Sequence, residues 1–440
     1  MNLINRAGRV AFPCYPLRMK LLRSILICSA CTGWALADNW PGWRGPEGTG
    51  ISSEKQFPTQ WSAKQNVRWR IELPERGNSS PVVWGNKVFI TQAREEKGVR
   101  KLMCLDRSTG NKLWAQSVVY GKREPTHRTN PYCSASPVTD GKHVVVSHAS
   151  AGLICYDMAG KELWRKDLGE QRHIWGNAAS PVIYKDLVLL NFGPGPRTFL
   201  IALRLKDGAN VWQHDEPGGD SGENQDGGRG KWVGSWATPI IIDGSGGDQL
   251  LMSYPNRVVA FEPLTGRSVW SCRGLNPLVY TSPIYDDGIV VAMGGFRGTA
   301  MGVRAGGKGD VTATHRLWTR PREKQRIGSG VLVNGHVYIL NEDGVAQCIE
   351  AKAGKVIWEE RLRGPGGNGK SWSSMVAAGD KLYAINQSGD TFVLRASPRY
   401  QLLGVNALGE MTQSSMAFSN GEIFIRTYQA LWCISGKKSR

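Results

Sequence analysis

Short runs of aliphatic and β-branched residues alternate with glycine- and aspartate-containing turns from about residue 66 to the C-terminus. In a representative unit, the turns Asp140-Gly141 and Ala159-Gly160 separate runs that we interpret as strands. The four runs of this unit are 135–138, 143–147, 152–156 and 162–166. Such runs, bounded by Gly and Asp pairs, are typical of β-hairpins. Since no segment shows a sustained helical period, the pattern predicts an all-β fold.

Each unit closes on a repeated phrase that ends in tryptophan. The segments Cys104–Trp114, Ala260–Trp270 and Cys348–Trp358 share one spacing of a small residue, an acid, a glycine and the tryptophan. The segments 202–212 and 155–164 repeat it with one substitution and one deletion, respectively. Self-similarity at this period predicts a propeller or a solenoid.

The tryptophans of this phrase give the number of units. They recur at intervals of 40–58 residues, which suits about four short strands and their turns, the content of one propeller blade. We expect them to pack blade against blade, because a slot repeated in every unit indicates architecture. They are Trp69, Trp114, Trp164, Trp212, Trp270, Trp318 and Trp358. An eighth slot falls at Leu403, and irregular spacing between Phe296 and Trp318 indicates an insertion in the fifth unit.

The two ends of the repeat region complement each other. The last unit contains three strand-like runs and stops near residue 434 before any fourth strand. The first strand-like run, 66–73, has the character of an orphan fourth strand. Pairing the two would remove two open sheet edges. The sequence therefore predicts an eight-bladed propeller of four-stranded antiparallel blades over residues 66–440, closed by the N-terminal strand; seven blades is the alternative count.

The N-terminus resembles a secretory signal. A basic stretch beginning at Met19 leads into a short apolar run and then Ala35-Leu-Ala37, an A-x-A cleavage pattern. We predict that residues 1–37 are removed and that the protein is periplasmic or secreted; a lipid-modified Cys31 is the alternative. Residues 38–65 are predicted to form an extension that packs on the propeller. No apolar run is long enough to span a membrane.

The chain is basic. Its formal net charge of +18 becomes +13 once the five basic residues of the signal are removed. This charge attracts anionic partners, such as acidic glycans, lipid head groups or acidic protein surfaces; scattered surface charge for solubility is the alternative. The absence of a basic run or stripe argues against a nucleic-acid partner.

The cysteines do not indicate a disulfide framework. Cys104, Cys155, Cys348 and Cys433 occupy one equivalent slot in four different units, where other copies have alanine. We interpret them as small buried residues. The sequence does not decide whether Cys133 and Cys272, which lie outside the slot, are bonded to each other.

The repeated phrase resembles the tryptophan-docking repeat of PQQ-like (quinoprotein alcohol dehydrogenase-like) propellers, over roughly residues 66–440. The leader Trp40-Pro-Gly-Trp43-Arg-Gly-Pro46 and the segment Phe57-Pro-Thr-Gln-Trp61 are similar to those of planctomycete-type members. The resemblance implies one of two classes. One comprises dehydrogenases that hold pyrroloquinoline quinone (PQQ) and Ca²⁺ in the central channel, and the other comprises binding scaffolds such as BamB of outer-membrane protein assembly.

The resemblance to the dehydrogenases is incomplete. They typically cover the cofactor with a disulfide between adjacent cysteines, and this chain has no Cys-Cys pair. Their Ca²⁺ ligands, a Glu, an Asn and an Asp, cannot be assigned here. The local candidate for an ion site is the glycine-rich loop with Glu223, Asn224 and Asp226, whose oxygens suit Ca²⁺; a solvated surface loop is the alternative.

The segments that join successive units carry large side chains, and we predict that these crowd the mouth of the central channel. Aromatic faces with cations suit flat, anionic or sugar-like ligands and protein hot spots, whereas the alternative is that the tryptophans plug the channel. The candidate binding residues are His127, Arg128, Tyr132, His173, Trp175, Trp232, Trp236, Tyr280, Arg326, Lys370 and Trp372.

Three functional hypotheses follow. The first is a non-catalytic, monomeric scaffold without a cofactor, which binds a protein or an anionic cell-envelope glycan through the channel mouth. The second is a PQQ- and Ca²⁺-dependent dehydrogenase that oxidises an alcohol or a sugar. The third is recognition of a cell-surface polysaccharide.

Overall fold

The computed structural model of the protein describes most of the chain beyond the predicted signal. The described residues are 38–219, 233–244, 246–296, 298–321 and 324–436. The predicted signal and cleavage site lie outside them.

Eight antiparallel four-stranded sheets make up the propeller, as the repeat predicts. Blade 1 has the strands Val82–Trp84, Lys87–Arg94, Val99–Asp106 and Lys112–Val119. Blade 2 has Val138–Thr139, His143–Ser147, Leu153–Asp157 and Glu162–Lys166. Blade 3 has Val182–Tyr184, Leu187–Phe192, Thr198–Arg204 and Asn210–Glu216. Blade 4 has Ile240–Gly244, Gly247–Tyr254, Arg257–Phe261 and Ser268–Arg273.

The second half of the chain repeats this order. Blade 5 has the strands Ile284–Asp286, Ile289–Met293, Ala300–Arg304 and Arg316–Arg320. Blade 6 has Val331–Val333, His336–Leu340, Val345–Glu350 and Val356–Arg361. Blade 7 has Val376–Ala378, Lys381–Ile385, Asp390–Arg395 and Leu402–Ala407. Blade 8 has Ala417–Ser419, Glu422–Arg426, Ala430–Ser435 and, from the N-terminus, Val67–Glu72.

A few short elements lie outside the blade pattern. The additional strands are Ile51–Ser52, Gly234–Ser235, Leu278–Val279 and Gly309–Asp310. The helical turns are Glu95–Lys97, Ala149–Ala151 and Thr312–His315. No helix in the described part of the chain has the length and hydropathy to cross a membrane.

The N-terminal strand completes the last blade. Val67–Glu72 pairs antiparallel with Ala430–Ser435, and Trp69 stands opposite Cys433. This is the register in which Trp114 stands opposite Cys104 inside blade 1. The predicted closure is therefore confirmed, and the pairing removes the open edge that either end of the chain would otherwise present.

A closed ring of hydrogen bonds surrounds the channel axis. One buried serine or threonine lies two residues before the first strand of each blade. The backbone N–H of each donates to the hydroxyl of the next, at 2.8–3.2 Å, and the last donates to the first. These ring residues are Ser80, Ser136, Ser180, Thr238, Ser282, Ser329, Ser374 and Ser415. The ring thus holds neighbouring blades at a common height around the axis.

The repeated tryptophans connect the blades farther from the axis. Six of the seven donate the indole N–H to a carbonyl of the following blade at 2.7–3.2 Å: Trp69 to Arg107, Trp114 to Met158, Trp164 to Leu205, Trp212 to Pro263, Trp318 to Ala351 and Trp358 to Ser397. Under five of these rings lies the glycine of the next phrase, at φ 69–89°. A Cβ there would lie 2.4–2.9 Å from the ring, so the phrase requires glycine both for its turn and for the close approach.

The seventh tryptophan, Trp270, has a different environment because of the insertion in the fifth unit. The inserted strand Gly309–Asp310 pairs in parallel with the fourth strand of blade 4, placing Gly309 opposite Trp270. Val311 packs in the same core, and the ring is fully buried. Its N–H donates to Gln249 Oε1 within its own blade, at 2.9 Å. The insertion therefore covers the edge of blade 4.

Blade 7 has no tryptophan, and its slot lies one residue later than the sequence suggests. Gly404 stands opposite Val393, whereas Leu403 is the extra residue of the strand bulge. The prediction of Leu403 was wrong because the turn between the third and fourth strands is one residue longer in blade 7 than in blade 1, whereas the bulge is common to both. The N-terminal extension covers this place: Trp61, buried in the core, donates its backbone N–H to Asn406 of blade 7 at 2.8 Å.

Residues 38–54, which we call the N-terminal plug, contact blades on several sides of the channel. Trp40 pairs with Val83 of blade 1, and Ile51–Ser52 pairs in parallel with the first strand of blade 7. The fully buried Arg44 donates to the carbonyl of Gly330, before blade 6, at 2.6 Å. Burial lowers the pKa of Arg44 to about 9. A buried guanidinium with carbonyl acceptors thus fixes the plug in the channel.

The six cysteines of the described ranges are all free and buried. The four slot cysteines each lie opposite a tryptophan of the same blade or, for Cys433, opposite Trp69. A small residue is needed there, since the large ring occupies the neighbouring strand.

The tryptophans differ in burial, and we expect their contributions to stability to differ accordingly. Trp270→Ala should lower the free energy of unfolding by about 3–5 kcal/mol, because its ring is fully buried. Trp114→Ala should cost less, because its ring is only half-buried. Thermal unfolding of both variants measures this order, and an equal or smaller loss for Trp270→Ala would contradict the burial argument.

Candidate functional site

The connections between blades meet at one end of the channel and enclose a cavity of about 330 Å³, which we call the central chamber. The plug contributes one residue, Trp43, to its lining. The lining residues are Trp43, Asn78, Ser80, His127, Thr129, Asn130, Ser134, Trp175, Ala178, Ser180, Trp236, Thr238, Tyr280, Phe296, Gln325, Ile327, Trp372, Ser374, Gln413 and Ser415. A cavity of this size is at the small end of the range for ligand pockets, roughly 300–1,000 Å³.

Eight of these residues occupy one repeated position, two residues before each member of the hydrogen-bonded ring. We call them the wall positions: Asn78, Ser134, Ala178, Trp236, Tyr280, Ile327, Trp372 and Gln413. Every second residue of an extended segment points to the same side. The ring therefore fixes the backbone, while the residue two positions earlier in each repeat contributes a side chain to the chamber.

An aromatic cluster forms one side of the chamber. Trp236 lies edge-on to Tyr280, with ring centroids 5.1 Å apart, and edge-on to His173 at 4.9 Å. Trp175 lies 6.0 Å from Trp236. The indole N–H of Trp236 donates to the carbonyl of Gly176 at 2.8 Å. Edge-on packing and this hydrogen bond hold the rings in place, so the cluster is a preformed surface.

Two polar atoms of the lining are buried and have no hydrogen-bond partner among the described residues. One is the indole Nε1–H of Trp372, a donor, and the other is Oδ1 of Asn78, an acceptor. The amide nitrogen of Asn78 donates to the carbonyl of Thr129 at 2.8 Å, which fixes the side chain. Buried polar groups without partners are rare in proteins and call for an explanation.

The described lining is electrically neutral. It contains no Asp, Glu, Lys or Arg side chain. Burial, with help from Arg128 and Arg76, lowers the pKa of His127, so this imidazole is uncharged at pH 7. Burial also raises the pKa of Tyr280, so its phenol keeps its proton. What the chamber offers is aromatic surface together with amide, hydroxyl and indole hydrogen-bonding groups.

The buried arginines near the chamber do not line it and hydrogen-bond to other parts of the protein. Arg426 is fully buried and donates to Ser79 Oγ, the Thr91 carbonyl and Gln92 Oε1, at 2.5–3.0 Å, which ties blade 8 to blade 1. Burial lowers the pKa of Arg426 to about 10. Arg326 is also fully buried and donates to Gln347 Oε1 at 3.0 Å.

The structure brings together five of the residues predicted at the channel mouth: His127, Trp175, Trp236, Tyr280 and Trp372. Five others lie elsewhere. His173 packs edge-on behind Trp236, and Arg326 is a strut. Exposed Arg128 and Lys370 do not line the chamber, and Lys370 pairs with Glu342 at 3.1 Å. Tyr132 exchanges hydrogen bonds with the Glu124 backbone at 2.7–2.9 Å.

The remaining predictions concern residues that the structure does not describe. Trp232 and the proposed ion ligands Glu223, Asn224 and Asp226 lie outside the described residues. Within the described ranges, no group of three or more His, Cys, Asp and Glu side chains is placed to hold a metal ion.

Five of the eight wall positions were not predicted from the sequence. Asn78, Ser134, Ala178, Ile327 and Gln413 line the chamber but are not large side chains with an evident role. The sequence does contain a signal for these five positions, because each lies two residues before a Ser or Thr that opens a unit. Counting backwards from those openings would have found all eight wall positions, whereas selecting by aromatic or charged character found three.

Comparison with known proteins identifies the family and the fold. A family model described as "Outer membrane protein assembly factor BamB" matches residues 59–229 and 221–440. No curated protein matches the chain.

Three solved structures illustrate the fold. BamB from Moraxella catarrhalis is 16% identical with a TM-score of 0.60, over 85% of this chain and 98% of that one. A europium-containing methanol dehydrogenase is 12% identical with a TM-score of 0.65, over 89% and 90% of the two chains. The quinohemoprotein alcohol dehydrogenase from Comamonas testosteroni is 14% identical with a TM-score of 0.64, over 92% and 81%. Identities this low establish the shared fold alone.

The described chamber does not fit the quinone and Ca²⁺ of the dehydrogenases. Ca²⁺ requires several oxygen ligands, usually including carboxylates, and the described lining has no carboxylate. PQQ carries carboxylates of its own, and the lining has no Lys or Arg to pair with them. The described part of the lining therefore offers aromatic, amide, hydroxyl and indole groups, but not the ligands that these two groups require.

The two chamber tryptophans provide a matched test of this geometry. Trp236→Phe should lower the free energy of unfolding by about 1 kcal/mol more than Trp372→Phe does. The reason is that the Trp236 N–H loses a hydrogen bond to Gly176, whereas the Trp372 N–H has no partner among the described residues. Denaturant unfolding measures both, and equal losses would contradict the arrangement.

Proposed function

Since this chain belongs to the family described as outer membrane protein assembly factor BamB, we propose that it is an exported, non-catalytic binding protein. In this proposal the signal segment 1–37 is removed, and a monomeric propeller engages its partner in the cell envelope. The partner contacts the central chamber and the connections around it. The observation that carries the proposal is the chamber itself, where aromatic and neutral polar side chains converge without a carboxylate in the described lining.

Several features of the chain support binding rather than catalysis. Catalytic sites usually hold titratable groups with pKa values tuned toward the operating pH. In the described lining, the titratable groups His127 and Tyr280 are shifted toward their uncharged forms. The plug and the ring hold the surrounding backbone, so the chamber is a preorganised surface, which reduces the cost of binding.

The family description favours a protein partner. The description names an assembly factor of outer membrane proteins, and the connections between blades offer a broad face around the chamber for contact with a protein. An anionic glycan of the envelope is the second class of partner; the net charge of the chain suggests it, and it would contact the surface around the neutral chamber. Neither class requires a cofactor.

The dehydrogenase alternative is tested with cofactor. We expect that mixing the purified mature protein with PQQ and Ca²⁺ gives no stoichiometric quinone absorbance after desalting and no dye reduction with alcohols or sugars, because the described lining lacks ligands for both. A quinoprotein dehydrogenase treated identically serves as the positive control. Stoichiometric quinone binding with substrate-dependent dye reduction would overturn the non-catalytic proposal.

The binding face is tested by position-specific photocrosslinking in the native envelope. A photoreactive residue at Arg128 or Lys370, both exposed on connections next to chamber residues, should give discrete adducts of higher mass. The photoreactive residue placed at Leu264, which is exposed in a turn of blade 4, is the matched control. Adducts that are equally abundant from all three positions, or that arise only from Leu264, would contradict the assignment of the face.

A further inference from the structure

The wall positions have a composition that suits one class of ligand. They contribute three aromatic rings, one aliphatic side chain, one alanine, one serine and two carboxamides. Trp43 and Trp175 add two further indoles to the lining. The chamber therefore combines flat apolar faces with groups that both donate and accept hydrogen bonds, and the part of the lining that the structure describes has no charge.

The two unpartnered atoms indicate what the ligand must supply. The Trp372 N–H needs an acceptor, and Asn78 Oδ1 needs a donor. A hydroxyl group can serve as either, because it carries one proton and two lone pairs. A ligand with several hydroxyls would satisfy both atoms, whereas a purely apolar ligand would leave both without partners, at a cost in affinity.

The described lining of the chamber is better suited to an uncharged ligand than to an ionic one. An anionic ligand transferred into this neutral lining would lose its hydration without gaining a cation among the described residues, which is costly. The nearby buried guanidinium of Arg426 already donates to three acceptors and is held by them. The basic net charge of the chain therefore acts outside the chamber.

We propose that the central chamber binds an uncharged sugar unit of a glycan. The apolar C–H face of a sugar ring packs on the indoles, and its hydroxyls bond to Trp372 Nε1–H, Asn78 Oδ1 and neighbouring amides. The chamber volume of about 330 Å³ suits a short stretch of glycan. This inference rests on the proposed function as a non-catalytic binding protein and names the class of ligand held in the chamber, whereas a protein partner would contact the connections around it.

The test uses the mature full-length propeller and defined trisaccharides. The neutral probes are cellotriose, maltotriose, laminaritriose and mannotriose, and the anionic probe is trigalacturonic acid. We expect at least one neutral probe to bind in isothermal titration calorimetry and saturation-transfer NMR. Its affinity should be the same in low and high salt, since no charge pair is formed.

Two results would overturn the inference. One is the absence of binding for all four neutral probes at about 10 mM, a concentration at which even a millimolar Kd gives substantial occupancy. The other is binding of trigalacturonic acid alone, with an affinity that falls as salt rises. The second result would move the glycan from the chamber to the basic outer surface.

Variants at Trp372 locate the bound sugar. Trp372→Phe keeps an aromatic ring but removes the N–H, so affinity should fall by about 5- to 10-fold, as for the loss of one hydrogen bond. Trp372→Leu removes the aromatic face as well and should lose more. Trp84 is a half-buried tryptophan of blade 1 that does not line the chamber. Trp84→Phe is therefore the matched control and should leave affinity unchanged. Equal affinities for Trp372→Phe, Trp84→Phe and the unmodified protein would place the sugar elsewhere.

The outcomes separate this inference from the proposed function. If a neutral sugar binds and is also oxidised in the presence of PQQ and Ca²⁺, the non-catalytic proposal fails and the ligand class stands. If no sugar binds while crosslinked adducts still form at Arg128 or Lys370, the ligand class fails and the scaffold function stands. Adducts to a protein would then identify a polypeptide as the partner.

Discussion

The hydrogen-bonded ring around the axis is the constraint on which the rest of the structure depends. Each blade is a separate sheet, and among the described connections near the centre just one short ladder joins neighbouring repeats, Gly234–Ser235 with Leu278–Val279. A hydroxyl that accepts the N–H of the preceding blade supplies the missing connection, and the eighth bond returns to Ser80. Since the ring closes only if all eight first strands stand at one height, it also sets the height of the side chains two residues earlier. The same ring of hydrogen bonds therefore positions both the blades and the side chains that line the chamber.

The fold could be predicted because the sequence repeats the information many times. The tryptophan phrase, the hairpin turns and the orphan first strand each indicate the same closed ring. What could not be predicted came from contacts between segments far apart in sequence. The absence of a tryptophan in the eighth slot is explained by the extension, which buries Trp61 against blade 7, whereas the shift of that slot from Leu403 to Gly404 comes from a turn one residue longer than that of blade 1. The insertion near Gly309 covers the edge of blade 4 beside Trp270, a contact between segments that the sequence does not place together.

The candidate site was predicted in part, and the reason for the partial success is physical. Trp236, Tyr280 and Trp372 could be predicted from the aromatic character of the connections, because large rings on segments close to the channel axis pack into the channel itself. The prediction also included Arg326, which turns out to be a fully buried strut. Charge in a sequence does not reveal whether the group faces a ligand or a neighbouring blade, since both environments can satisfy a guanidinium.

The separation of ring from wall suggests how one scaffold serves different functions. The ring residues are serines and one threonine, whereas the wall positions range from alanine to tryptophan. Substituting a wall residue changes the chamber without removing a ring hydrogen bond, because the ring uses the backbone and a different side chain. A propeller of this architecture can therefore present chambers of different chemistry while the ring stays the same. In this chain the described wall is aromatic and uncharged, and the Trp372 N–H has no partner among the described residues, which is the basis of the proposal that the chamber recognises a neutral ligand.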